Sequence, residues 1–166
     1  MAQGVTITDD RRLYDAIQRE VAKLRGAVVT VGIHGDDSRR DDGAQTNPQI
    51  GAIHEFGSGR IPERSFLRST VDGSDKIVKT AEQAASDVAH GKLSAEKAAN
   101  RVGVVAVGAV KRTIQSRIPP PLSQQTLERR AAKGAHGGGL ASMGGAATPL
   151  IDSGQLIQSI QYRAEV

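Results

Sequence analysis

The chain has no cysteine and no tryptophan, and only four aromatic residues among 166: Tyr14, Phe56, Phe66 and Tyr162. The missing cysteines exclude a disulfide framework and any thiolate metal site. So few rings exclude a stacking platform for single-stranded nucleic acid, which needs several aromatic faces on one surface. Long apolar runs are also missing. The longest, Val102 to Val110, is nine residues, about half of what a membrane span requires. The first residues lack the basic and apolar regions of a signal peptide, so a soluble, intracellular protein without membrane association is expected. Large apolar side chains are scarce, whereas glycine (19 residues) and alanine are abundant. A monomer of this composition buries little apolar area, and stability drawn from neighbours in an assembly is expected.

Charge is present but uneven. Residues 1–100 carry 14 basic and 15 acidic side chains; residues 101–166 carry 8 and 3. The net charge of +4 therefore belongs to the C-terminal part. Such an excess attracts phosphate backbones or acidic protein surfaces, or is simply a solvated face.

A single domain, residues 1–166, is the reading that length favours. Thr8, Asp9 and Asp10 are capping and first-turn chemistry for a helix whose stripe is Leu13, Ile17, Val21 and Leu24, ending at Gly26. Ala27 to Ile33 is short and β-branched, a strand. Residues 35–47 are polar and read as a flexible loop. Asn47-Pro48 is expected to cap and open a helix to Phe56, and residues 57–60 a turn. Pro62 is expected to open another helix, bent or broken at 71–74. Residues 75–116 read as two helices joined at His90-Gly91, the second capped by Ser94, with Gly103 and Gly108 admitting a close backbone approach. Pro119-Pro120-Pro121 is a stop. Ser123 then caps a basic helix to Lys133. Residues 134–148 hold six glycines in fifteen positions and read as a second flexible loop. Asp152 or Ser153 is expected to cap a last short helix, and 160–163 alternates like a closing strand.

Enzyme signatures fail at specific positions. His54-Glu55 begins a zincin motif, but Ser58 stands where its second histidine belongs. Gly91-Lys92 lacks the glycine spacing of a phosphate loop. Gly57 and Gly59 are followed by Pro62 instead of a third glycine. Phe56 occupies the first-glycine position of a nucleophile elbow. His34, His54, His90 and His136 share no ligand spacing, and the acid pairs at 36–37 and 41–42 lie in a solvated loop. No catalytic residue, cofactor or metal is expected. One charge arrangement stands out: Arg60, Arg64 and Arg68 recur every four residues. On one helix they form a guanidinium row able to grip an acidic partner or a passing phosphate backbone, or a solvated face tied to Glu63.

Three segments together carry a resemblance. Ile50-Gly51-Ala52-Ile53-His54-Glu55-Phe56-Gly57 precedes Ile61-Pro62-Glu63-Arg64-Ser65-Phe66-Leu67-Arg68, and Thr148-Pro149-Leu150-Ile151-Asp152-Ser153-Gly154-Gln155-Leu156-Ile157-Gln158-Ser159-Ile160 lies near the C-terminus. In order and spacing they resemble the signature of virion-morphogenesis proteins of tailed bacteriophages, the neck, tail-completion or minor tail components. Pro121 to Gly134 also fits the segment that precedes the last motif. Ser65 stands where a second proline is common and Ser153 where threonine is usual.

The resemblance spans residues 28–163. It implies an α+β fold, with a small, mainly antiparallel sheet packed against several helices and long mobile loops. It implies a non-enzymatic ring at the head–tail connector, with neighbouring connector and tail proteins as partners and DNA as passing cargo. Arg60, Arg64, Phe66, Arg68, Asp152 and Leu156 are then the candidate protein-interface residues, and the loops at 35–47 and 134–148 are expected to dock onto neighbouring rings. The competing expectation is a basic DNA-binding or packaging accessory protein acting as a small oligomer.

Overall fold

The computed structural model describes residues 11–35, 45–134 and 148–166. The capping residues Thr8, Asp9 and Asp10, His136, and most of both expected loops lie outside the described residues. The elements run α1 (Arg11–Gly26), β1 (Val28–Ile33), α2 (Asn47–Phe56), α3 (Arg68–Gly73), α4 (Asp75–Ala89), α5 (Ala95–Gln115), α6 (Gln124–Gly134), α7 (Gln155–Gln158) and β2 (Ile160–Glu165). This is the expected α+β architecture: β1 and β2 pair antiparallel, from Val28 opposite Glu165 to Ile33 opposite Ile160. Among the described residues no helix is long and apolar enough to cross a membrane.

Helix α5 is the spine. Ser94 caps it by accepting from the Lys97 N–H, and Glu20 of α1 accepts from the Ala95 N–H at 2.8 Å, placing an acid at the positive end of the helix. Hydrogen bonds from Lys23 and from that amide hold the Glu20 carboxyl below its ordinary pKa. The stretch 102–110 is helical, and its small residues let two separate apolar clusters form along one helix. Near the N-terminal half of α5, Val21, Leu24, Leu93 and Val102 surround Ala84, Val88 and Ala98. Toward the C-terminal half, Phe66, Val110, Ile114, Leu150, Ile151, Leu156 and Ile160 form the larger cluster. Among the described residues, six of the fourteen buried apolar side chains are alanines, so the core is thin, as composition implies. The α1 stripe is only partly used: Ile17, Val21 and Leu24 are half-buried, whereas Leu13 is 64% exposed.

Tyr162 of β2 lies across Gly103 of α5, and a Cβ at position 103 would fall inside the van der Waals shell of the ring. The tyrosine hydroxyl donates to Asn100 Oδ1 at 3.2 Å. Gly103 thus admits a ring, where a backbone was expected. At Gly108 a Cβ would meet only the Arg112 Nη1 atom, at 3.4 Å.

Three helix starts differ from expectation. Helix α2 is capped by Thr46 instead of Asn47, in a reciprocal box with Gln49: the Gln49 N–H donates to Thr46 Oγ1, and Gln49 Oε1 accepts from the Thr46 N–H at 2.9 Å. Helix α7 is capped by Gly154 (φ 83°), not by Asp152 or Ser153. Pro62 opens no helix. Residues 62–67 form no helix, and α3 begins at Arg68.

Candidate functional site

The delayed start of α3 has a non-local cause. Glu55, in the last turn of α2, is 3% exposed. Its Oε2 accepts from the N–H groups of Phe66 (2.8 Å) and Leu67 (2.9 Å). Its Oε1 accepts from Ser65 Oγ (2.7 Å), the Arg68 N–H (3.0 Å) and Arg68 Nε (3.1 Å). The first-turn donors of a helix need acceptors, and here a carboxylate from another helix supplies them. Burial alone would raise the Glu55 pKa, but the bonds from Leu67, Arg68 and Ser65 outweigh it and hold the carboxyl below its ordinary value.

Residues 58–64 are fixed as a strap. Ser58 and Ile61 form an isolated bridge, and the Arg64 N–H donates to the His54 carbonyl at 2.7 Å. Gly57, which leads into the strap, has φ 75°, and a Cβ there would sit 3.0 Å from the Glu63 backbone nitrogen. Both the left-handed conformation and the crowding require glycine.

The expected guanidinium row does not form, because 60, 64 and 68 do not share a helix. Arg60 is exposed. Arg64 is 5% exposed and turns inward; its Nε and Nη2 donate to the Pro120 carbonyl at 2.9 and 2.7 Å, and Nη2 also reaches Pro121 at 3.3 Å. Those carbonyls belong to the proline run, whose Pro119–Pro120 bond is cis. Arg68 bridges Glu55 and Glu63 (2.8 Å) and lies over the Phe56 ring, 4.8 Å from its centroid.

The remaining motif closes the same corner. Arg130 of α6 donates through Nη1 to the carbonyls of Thr148 (2.8 Å) and Ile151 (2.7 Å), and through Nη2 to Pro149 (3.2 Å). Its Nε lies 3.6 Å from Asp152 Oδ1. Burial pulls the Arg130 pKa down; Asp152 opposes that and Arg129 adds to it. Glu55 thus joins the first two motif segments, Arg64 ties the second to the proline run, Arg130 holds residues 148–152, and the shared core of Phe66, Leu150 and Leu156 brings the last segment against the others.

Of the six expected interface residues, Arg64, Phe66 and Leu156 are buried within the subunit and present no surface to a partner. Phe66 and Leu156 are part of the larger core. Arg60, Arg68 and Asp152 are exposed. Sequence reasoning passed over Glu55 and Arg130. Glu55 carried a signal: an acid in the last turn of an apolar helix opposes the helix dipole and so requires a strong partner elsewhere. Among the described residues no group of three or more acidic or histidine side chains could hold a metal. Comparisons of the chain with known protein families, curated proteins and solved structures return no match.

Proposed function

We propose that the chain is a non-enzymatic structural subunit of a tailed-bacteriophage virion, located in the neck or tail and made in the host cytoplasm. In this reading it forms a homo-oligomeric ring at the head–tail connector, touches neighbouring connector and tail proteins, and lets DNA pass. The observation that carries the reading is the convergence of the three motif segments: Glu55 of the first binds the backbone of the second, and Phe66 of the second packs in one core with Leu150, Ile151 and Leu156 of the third. Two features support an assembly. The core is alanine-rich, and apolar side chains are left at the surface: Leu13 and Tyr14 on α1, Val28 on β1 and Val104 on α5 are all more than half exposed. A DNA-binding role has less support, because part of the C-terminal basicity is already engaged: Arg130 by backbone carbonyls, and Arg101 by Asp87 at 3.0 Å.

Light scattering and negative-stain imaging of the purified chain test the reading. Rings, or concentration-dependent oligomers abolished by Leu13→Glu with Tyr14→Glu at unchanged Tm, are expected. A monomer at every concentration, alone and with connector or tail proteins, refutes it. Tight duplex-DNA binding whose logarithm falls steeply with salt would establish the accessory-protein alternative.

A further inference from the structure

Strands β1 and β2 form a two-stranded sheet, with no third strand among the described residues. In an antiparallel pair, alternate residues turn their N–H and C=O groups away from the partner strand, so each strand keeps an outer edge of backbone donors and acceptors. The two edges differ. Helix α2 lies against the Ile33 end of β1, where a Cβ at Gly51 would sit 2.5 Å from Ile33 Cδ1. Strand β2 runs through its six residues without proline and in unbroken register, so neither a proline nor a bulge blunts its edge. The remaining device is charge. On one face of β2 the Tyr162 ring lies across Gly103 of α5; on the other, Gln161, Arg163 and Glu165 are exposed.

We propose that the outer edge of β2 pairs antiparallel with β2 of a second copy of this chain, about a two-fold axis at Ala164, giving a continuous four-stranded sheet. Charge selects the register. Alternation allows only registers that differ by two residues, because a one-residue slip turns each side chain to the wrong face. With Ala164 opposite Ala164 of the partner subunit, Arg163 opposes the partner's Glu165, and Glu165 opposes the partner's Arg163. A shift of two residues one way sets Arg163 against the partner's Arg163; the other way, Glu165 faces the partner's Glu165. Like charges directly opposite are destabilising and unlike ones stabilising, so the strand is complementary to itself in one register. That register also sets Val166, an apolar residue 48% exposed, opposite the partner's Tyr162. Strand β1 carries no such code, since its exposed residues Val28 and Thr30 are uncharged. The contact is two-fold, whereas a ring closes through a head-to-tail contact, so it does not rest on the ring reading.

Sedimentation velocity of the full-length chain, from about 1 μM to about 1 mM, tests the pairing. It is run in the Leu13→Glu, Tyr14→Glu background, so that loss of a ring contact and loss of this one are read separately. A concentration-dependent dimer is expected there. Arg163→Glu alone, or Glu165→Arg alone, sets two like-charge pairs across the axis and should weaken the dimer about thirtyfold, equivalent to ~2 kcal/mol, at unchanged Tm. An equal mixture of the two single variants should regain the dimer, because each reversed residue then faces its opposite on the other chain. Both reversals in one chain should regain it as well, and that variant, which keeps every charge of the strand, is the folding control. A monomer throughout the range, a dimer indifferent to either reversal, or a mixture that associates no more tightly than the single variants would each overturn the assignment.

Discussion

Glu55→Gln removes one charge from the centre of the motif corner while keeping side-chain volume. The carboxylate accepts five hydrogen bonds, three of them from the backbone N–H groups of Phe66, Leu67 and Arg68. A glutamine carbonyl can keep the Phe66 and Leu67 donors, but its NH2 then faces Ser65, the Arg68 N–H and Arg68 Nε. Ser65 can turn its hydroxyl to accept; the Arg68 amide cannot. The Arg68 side chain is 53% exposed, so its ion pair counts for little. The loss falls on one orphaned backbone donor and on the weakening of two charge-assisted bonds to neutral ones, together about 3 kcal/mol. For a chain of this size that is a Tm decrease of about 6–12 °C. The pH dependence has a definite sign. The folded carboxyl is held below its ordinary value of 4.5, so its contribution is fully present above that pH and is lost as pH falls through the folded pKa. Scanning calorimetry of both proteins at neutral pH and at about pH 3 should show a large gap that narrows in acid. A Tm change under about 2 °C at neutral pH, or a gap that persists undiminished in acid, would refute the claim that Glu55 caps α3 as a carboxylate.

Three further substitutions test other parts of the fold. Arg130→Lys keeps the charge but loses the fork that serves three carbonyls; urea denaturation should show a loss of about 2–3 kcal/mol, with faster amide exchange at Ile151 and Leu156. Gly103→Ala and Gly108→Ala should have opposite signs. The first drives a methyl group into the Tyr162 ring and is expected to cost about 1–3 kcal/mol. The second meets only the mobile end of Arg112 and should gain up to about 1 kcal/mol from helix propensity, both read from denaturation midpoints.

The helices and the strand pair were legible because their signals are local. Ser94 caps within three residues, β1 is a run of β-branched residues, and the α5 sequence carries its own period. The corner was not legible for the opposite reason. Pro62 has the chemistry of a helix start, and Arg60, Arg64 and Arg68 have the spacing of a helix face, but four backbone donors that such a helix would use are taken by α2: the Arg64 N–H by the His54 carbonyl, and the Phe66, Leu67 and Arg68 N–H groups by Glu55. A non-local acceptor overrides a local start whenever it offers a charged partner to several donors at once, since each such bond exceeds what one proline contributes to helix initiation. The same logic turns Arg64 from an expected surface residue into a structural one. Charge reversal at Arg64 would place a carboxylate against two backbone carbonyls and should destabilise the subunit before any partner is involved. A loss of assembly in that variant would therefore report on folding, whereas Arg60 on the strap and Arg68 at the start of α3, both exposed, are the positions where a change in assembly at constant Tm reports on an interface.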